Sequence, residues 1–188
     1  ASGYVPRLGT IDPSAGGESH RFSLSGALQH ASRFGMTQLN LYTLHTNLAL
    51  FSNFTYFLDD PVNGDQFSQV DKRFQSAMNL SHLWVNRIGG LEVENTAGIQ
   101  FQNDVIDNGL LSTKQRQTLS TTRKDHINQN SIGLYYQNSI QWLEKFRSVA
   151  GVRSDYYWFD VSSHQAVNSG KRYDSITNPK ISLIFGPW

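Results

Sequence analysis

Six histidines, at positions 20, 30, 45, 82, 126 and 164, are the first side chains in this sequence that could ligate a metal. No two stand at the short spacing that brings two imidazoles to one ion, so they read as scattered interfacial or polar-face histidines. Asp59-Asp60-Pro61-Val62-Asn63-Gly64-Asp65 has the oxygen-rich look of a calcium loop, yet it lacks the regular acidic spacing and the bidentate glutamate, and it reads as a turn-rich loop. Glu92 and Glu94 are a carboxylate pair two residues apart; on one strand face they line water rather than a reaction centre. Arg153 and Asp155 share that spacing and predict a same-face ion pair. Arg116, Arg123, Lys124 and His126 make one long connection mildly basic, suited to a solvated loop or to collecting an anion. A nucleophile elbow, a phosphate-binding glycine loop and a His-Glu-X-X-His helix are all missing. The chain is therefore expected not to be an enzyme, with no catalytic, cofactor-binding or metal residue and no cofactor.

Composition narrows the elements that position these groups. With 11 Phe, 8 Tyr, 4 Trp and 15 Gly, and many Ser, Asn, Gln and Thr, the chain favours strands and turns over helices. Zero cysteines exclude disulfides and thiolate metal sites. A net charge of +1 supplies no basic stripe for phosphates, so no nucleic-acid partner is expected. Apolar runs last only a few residues, too short for a membrane helix, although a barrel strand needs just one apolar face about 10 residues long. Residues 1–4 show neither a charged nor an apolar leader region, which predicts a start inside a longer protein.

Successive side chains of a strand point to opposite faces, so a half-wet strand alternates apolar and polar residues. In 131–142, Ile132, Leu134, Tyr136, Ile140 and Trp142, with Asn138, oppose Ser131, Gly133, Tyr135, Gln137, Ser139 and Gln141. In 73–84, Phe74, Met78, Leu80 and Trp84, interrupted by His82, oppose Gln75, Ala77, Asn79 and Ser81. In 91–102, Leu91, Val93, Ala97, Ile99 and Phe101 oppose the two glutamates and Thr96, Gly98, Gln100 and Gln102. Weaker alternation sets Phe22, Leu24 and Leu28 against Arg21, Ser23, Ser25, Ala27 and Gln29, and Ile181, Leu183 and Phe185 against Lys180 and Ser182. The stretch 146–161 starts with Phe146, Ala150 and Val152 opposite Arg147, Gly151, Arg153 and Asp155. Its run Tyr156-Tyr157-Trp158-Phe159 loses the alternation, as at a bulge. A seventh strand, 38–51, is ambiguous in phase, with Tyr42, Leu44, Leu48 and Leu50 taken as its apolar face.

Connections fall into two kinds. Residues 32–35, 86–90 and 143–145 are tight turns, whereas 1–19, 59–72, 104–128 and 162–174 are long and polar. Short and long alternate along the chain, as they must in an up-and-down membrane barrel with short periplasmic turns and long outer loops. Trp84, Trp142 and Phe146 sit beside the short turns, while Tyr56, Phe57 and the run 156–159 flank the long ones, as two aromatic girdles would. A soluble antiparallel β-sandwich, binding carbohydrate or protein through Tyr156, Tyr157 and Trp158, is the competing architecture. It supplies no reason for tight turns at one end only.

Several stretches resemble the β-barrel of TonB-dependent outer-membrane receptors. They are Asn53-Phe54-Thr55-Tyr56-Phe57-Leu58-Asp59-Asp60-Pro61; Ser131-Ile132-Gly133-Leu134-Tyr135 followed by Ile140-Gln141-Trp142; Val149-Ala150-Gly151-Val152-Arg153-Ser154-Asp155; and Pro179-Lys180-Ile181-Ser182-Leu183-Ile184-Phe185. Two depart from the family pattern, with Ser154 where an aromatic is usual and Asn178 where a serine is. The resemblance runs from about Phe22 onward. It implies a place in the bacterial outer membrane, a small-molecule ligand such as a ferric siderophore, cobalamin or glycan, and import driven by an inner-membrane energy-coupling complex through a plug. No plug region or coupling box is visible, and seven strands are too few and too odd in number to close a barrel of this type. The expected fold is all-β: an antiparallel up-and-down meander of about seven strands, with residues 1–188 forming a partial barrel whose apolar face meets outer-membrane lipid.

Overall fold

Residues 9–186 are described by a computed structural model of the chain. Seven strands follow one another: β1 (Gly16–Ser32), β2 (Gly35–Ser52), β3 (Phe67–Ile88), β4 (Leu91–Lys114), β5 (Gln117–Leu143), β6 (Phe146–Ser163) and β7 (Gly170–Phe185). They form one sheet in sequence order, every neighbouring pair antiparallel. The sheet is open, since β1 and β7 each pair on one side only.

The short turns are as tight as the sequence predicts. Arg33 and Phe34 link β1 to β2, Gly89 and Gly90 link β3 to β4, and Glu144 and Lys145 link β5 to β6. Gly89 and Gly90 have φ of +60° and +84°, the left-handed pair that a two-residue hairpin turn requires and that glycine adopts without cost.

At the opposite end the picture changes. Residues 53–66 form a true loop, and 164–169 a short one holding a single 3-10 turn, Ala166–Asn168. The predicted long connection 104–128 is not a loop. β4 and β5 continue their ladder through it to a two-residue turn at Gln115 and Arg116, with φ of +50° and +67°. Alternation failed there because Asp104, Asp107, Asn108, Asp125 and Asn128 leave both faces wet, and a strand without an apolar face has no period-two signature. At 27 residues, β5 would run roughly 90 Å, several times what a bilayer crossing needs.

Two further expectations are corrected by the register. Met78 of β3 pairs with Leu41, and Leu80 with Leu39, so the apolar face of β2 carries Leu39 and Leu41 rather than Tyr42, Leu44, Leu48 and Leu50. The run 156–159 holds its pairing with β7 and β5 without a bulge: Tyr156 and Trp158 go to one face, Tyr157 and Phe159 to the other. The irregularity lies instead between Gln141 and Leu143, next to the turn.

Among the described residues there is almost no core. Val93 and Ile106 are the only buried hydrophobic residues, while Leu24 is 72% exposed, Leu134 49% and Ile181 78%. No second sheet covers this stripe, which removes the sandwich reading, because a sandwich hides its apolar faces against each other.

The position of the stripe drifts from strand to strand. On β1 it runs from Phe22 to Leu28, and on β7 from Pro179 to Phe185, whereas the ladder row through Ser25 ends at Asp174, eight residues short of Ser182. Spread over six strand-to-strand steps, that offset makes an apolar belt level only if the strands lean by roughly 40°, the tilt of a membrane barrel.

Candidate functional site: the lumen wall and the outer loops

Ladder pairing sorts every strand residue onto one of two faces. One row of the apolar face reads Leu28, Leu39, Leu80, Ile99, Leu134, Ser154, Thr177. The adjacent row of the other face reads Ala27, Asn40, Asn79, Gln100, Gly133, Asp155, Ile176. The second holds three primary amides and a carboxylate where the first holds five large aliphatic residues, the polarity of a face that meets water.

Toward the tight turns, the apolar face carries its aromatic girdle. His82 stacks on Trp84 at 5.7 Å, Phe146 on Phe185 at 4.7 Å, and Trp142 Nε1 donates to Ser148 Oγ at 2.7 Å. Several polar atoms on this face are satisfied locally, whereas the buried Thr43 Oγ1 has no partner. Tyr136 Oη and Asn138 Nδ2 both donate to Asn95 Oδ1, at 2.6 and 2.8 Å, and His82 Nδ1 bonds Thr37 Oγ1 at 2.8 Å. Such pairing is what lipid demands of any polar group it covers.

On the polar face, Arg153 and Asp155 form the ion pair expected from their spacing, with Nε and Nη2 reaching the carboxylate at 2.6–3.0 Å. Gly133 makes room for it: a Cβ there would lie 2.5 Å from both Arg153 Nη2 and Asp155 Oδ1. Gly98 does the same for the ring of Tyr135, which lies across it. Above the ion pair a recess of about 490 Å³ is lined by Asn40, Asn79, Gln100, Gln102 and Gln129 with Tyr42 and Tyr157. Glu92 and Glu94 lie lower on the same face, paired across to Arg87 and Val85.

The outer connections are welded by one buried amide. Gln66, 3% exposed, donates from Nε2 to Ser14 Oγ and Asp12 Oδ2, while its Oε1 accepts from Thr113 Oγ1 and the Arg116 amide. It thereby joins residues 9–15, the loop 53–66 and the β4–β5 tip. Nothing in a lone glutamine between Asp65 and Phe67 announces four partners, and the sequence gives no sign of this role.

In the loop 53–66, the oxygens that suggested calcium are taken by the chain itself. Asp65 accepts the amides of Leu58, Asp59 and Asp60, and Asp60 those of Val62 and Asn63. The Asn63 amide, then its side chain and the Val62 amide, hold Asp60 below the ordinary carboxylate range. Desolvation pushes Asp65 up, but the Thr55 hydroxyl and the three amides prevail and lower it. Asp12 is lowered chiefly by the Ser14 hydroxyl and the Asn53 amide.

The basic residues of 116–126 do not converge. Arg116 Nε donates to Ser14 O, Arg123 pairs with buried Asp125, and His126 with Asp107 at 2.7 Å. Asp125 is held low first by the Ser163 hydroxyl and then by Arg123. No two histidines are cross-strand neighbours: His20 pairs with Asn47, His30 with Thr37, His45 with Phe22 and Phe74, and His126 with Asp107 and Ser162.

Comparison with known proteins fits this geometry. None of the curated proteins compared matches the chain. A solved structure titled "Crystal structure of ferric citrate transporter FecA in the unliganded form" superposes with a TM-score of 0.69 at 13% identity, over 88% of this chain and 24% of that one. At that identity the likeness concerns the fold, and this chain spans about a quarter of the transporter's length. Residues 2–188 match the family described as "TonB dependent receptor-like, beta-barrel". An exposed apolar stripe across one meander, a more polar opposite face and this family match together place the chain in the TonB-dependent receptor β-barrel family of the bacterial outer membrane.

Proposed function

We propose that the chain forms about seven strands of the wall of an outer-membrane receptor that binds a scarce solute at its outer loops and imports it using energy transmitted from the inner membrane. The observation that carries this reading is the exposed apolar stripe opposite a polar face, on strands that continue far above the stripe into interlocked loops. Lipid covers the first and water wets the second. The free edges of β1 and β7 would each pair with further strands of the same wall, because an open edge in lipid strands its amides and carbonyls.

Candidate solutes are ferric chelates, cobalamin and glycans. The ferric citrate named in the similar structure's title keeps chelates among them. Uptake of radiolabelled candidates by cells with and without the energy-coupling protein tests the reading. Uptake that needs both this receptor and the coupler is expected; uptake unaffected by removing the coupler would overturn it.

A further inference from the structure

The wall of the lumen leaves particular atoms without partners, and their chemistry discriminates among solutes. Asp104 is 5% exposed; its Oδ2 accepts Gln102 Nε2 at 2.7 Å, and its Oδ1 is buried with no partner. Asn79 Oδ1 is likewise buried and unbonded. Asn79 and Gln102 both line the recess of about 490 Å³, and so does Gln129, the cross-strand partner of Asp104. An unpaired buried acceptor costs about 1–3 kcal/mol until a donor arrives, so Asn79, on the wall of the recess, calls for a ligand with O–H or N–H groups. A ferric chelate of carboxylates presents chiefly acceptors and does not meet that call.

The rest of the recess points the same way. Its charged residues, Arg153 and Asp155, neutralise each other through three hydrogen bonds, so its floor carries no net charge for an ionic ligand. Asn40, Asn79, Gln100, Gln102 and Gln129 each offer both a donor and an acceptor, the match for a hydroxyl, which is also both. Beside them Tyr157 stacks with Phe159 at 6.4 Å and 8°, on the lumen face, making a flat platform for the C–H face of a sugar ring.

We infer that this recess is a binding subsite for an uncharged, polyhydroxylated solute, a neutral oligosaccharide. The inference rests on the transport reading and names its substrate class. The test is a glycan array of neutral and acidic oligosaccharides, probed with the intact receptor in detergent. Retention on neutral glycans is expected, with Asn79→Leu and Gln100→Leu each weakening it about tenfold and Ser76→Ala, on the lipid face, leaving it unchanged. Each variant is scored only if it keeps the heat-modifiable migration of a folded barrel, and the pair of lumen variants guards against one failing to fold. No retention on any neutral glycan, retention on acidic glycans alone, or full binding by both folded lumen variants would overturn the inference. So would a photo-crosslinker at position 79 that joins another part of the receptor and is not displaced by neutral glycans. Energy-dependent uptake of a chelate without glycan binding sinks this inference and spares the transport reading; glycan binding without energy-dependent uptake does the reverse.

Discussion

At the scale of single residues, the face a side chain occupies decides what a substitution costs. Leu134 faces outward between Ile99 and Ser154, and Gln137 faces the lumen beside Thr96 and Gly151. Leu134→Arg should cost about 2–4 kcal/mol in a urea titration of the intact receptor in lipid, and Gln137→Arg much less; equal costs would contradict the face assignment. Glycines divide the same way. Nothing lies within 4 Å of a Cβ at Gly26, whereas one at Gly133 meets both members of the Arg153–Asp155 pair. Gly133→Val is expected to lower stability by about 1–3 kcal/mol in the same titration, and Gly26→Val to be neutral or mildly stabilising. A loss at Gly26 as large as at Gly133 would mean that packing at these sites is misread.

Elements bring in the loops, where order comes from side chains bonding to backbone rather than from a core. Removing the two-sided amide at Gln66 strands the Thr113 hydroxyl and the Arg116 amide together. Gln66→Leu should therefore speed proteolysis at both the 53–66 loop and the β4–β5 tip, by about tenfold. Cleavage rising at one site alone would show that the two are not coupled. The same loop has a pH limit with a definite sign. Asp60 is held below its ordinary value when folded, so its contribution is present above the unfolded carboxylate range, about pH 3.9, and is lost as pH falls through the folded value. Amide exchange at Val62 and Asn63, corrected for its intrinsic rate, should be flat down to about pH 4 and rise below it; a rise beginning near neutrality would point to another group.

The whole molecule is a wall with two ends. The absence of cysteine makes labelling unambiguous, since an introduced thiol is the only one this chain offers. Arg116→Cys at the β4–β5 tip should react with a membrane-impermeant maleimide on intact cells, and Arg33→Cys in the β1–β2 turn only after the outer membrane is opened. The reverse pattern would invert the orientation read from turn length. The near-absence of a core has its own consequence. With Leu24, Leu134 and Ile181 bare, solubility without detergent is not expected of this chain, and a monodisperse, cooperatively unfolding protein in plain buffer would contradict the lipid-facing stripe.

How much was legible in the sequence followed from whether one face was apolar. Ile132, Leu134 and Trp142 against Ser131, Gln137 and Gln141 is a pattern that only a half-wet strand produces, so the face, the tight turns and the barrel class were determined locally. The Arg153–Asp155 pair was equally readable, because a spacing of two on a strand obliges side chains to meet. β2 was misphased because Leu39, Leu41, Leu44, Leu48 and Leu50 put apolar residues on both faces, and only pairing to Met78 and Leu80 chose between them. The extension of β4 and β5 escaped for the opposite reason, both faces being polar. Gln66, the orphaned oxygens of Asn79 and Asp104, and the recess between strands belong to tertiary structure alone. They join groups dozens of residues apart, and no local periodicity encodes which distant chains will share a hydrogen bond.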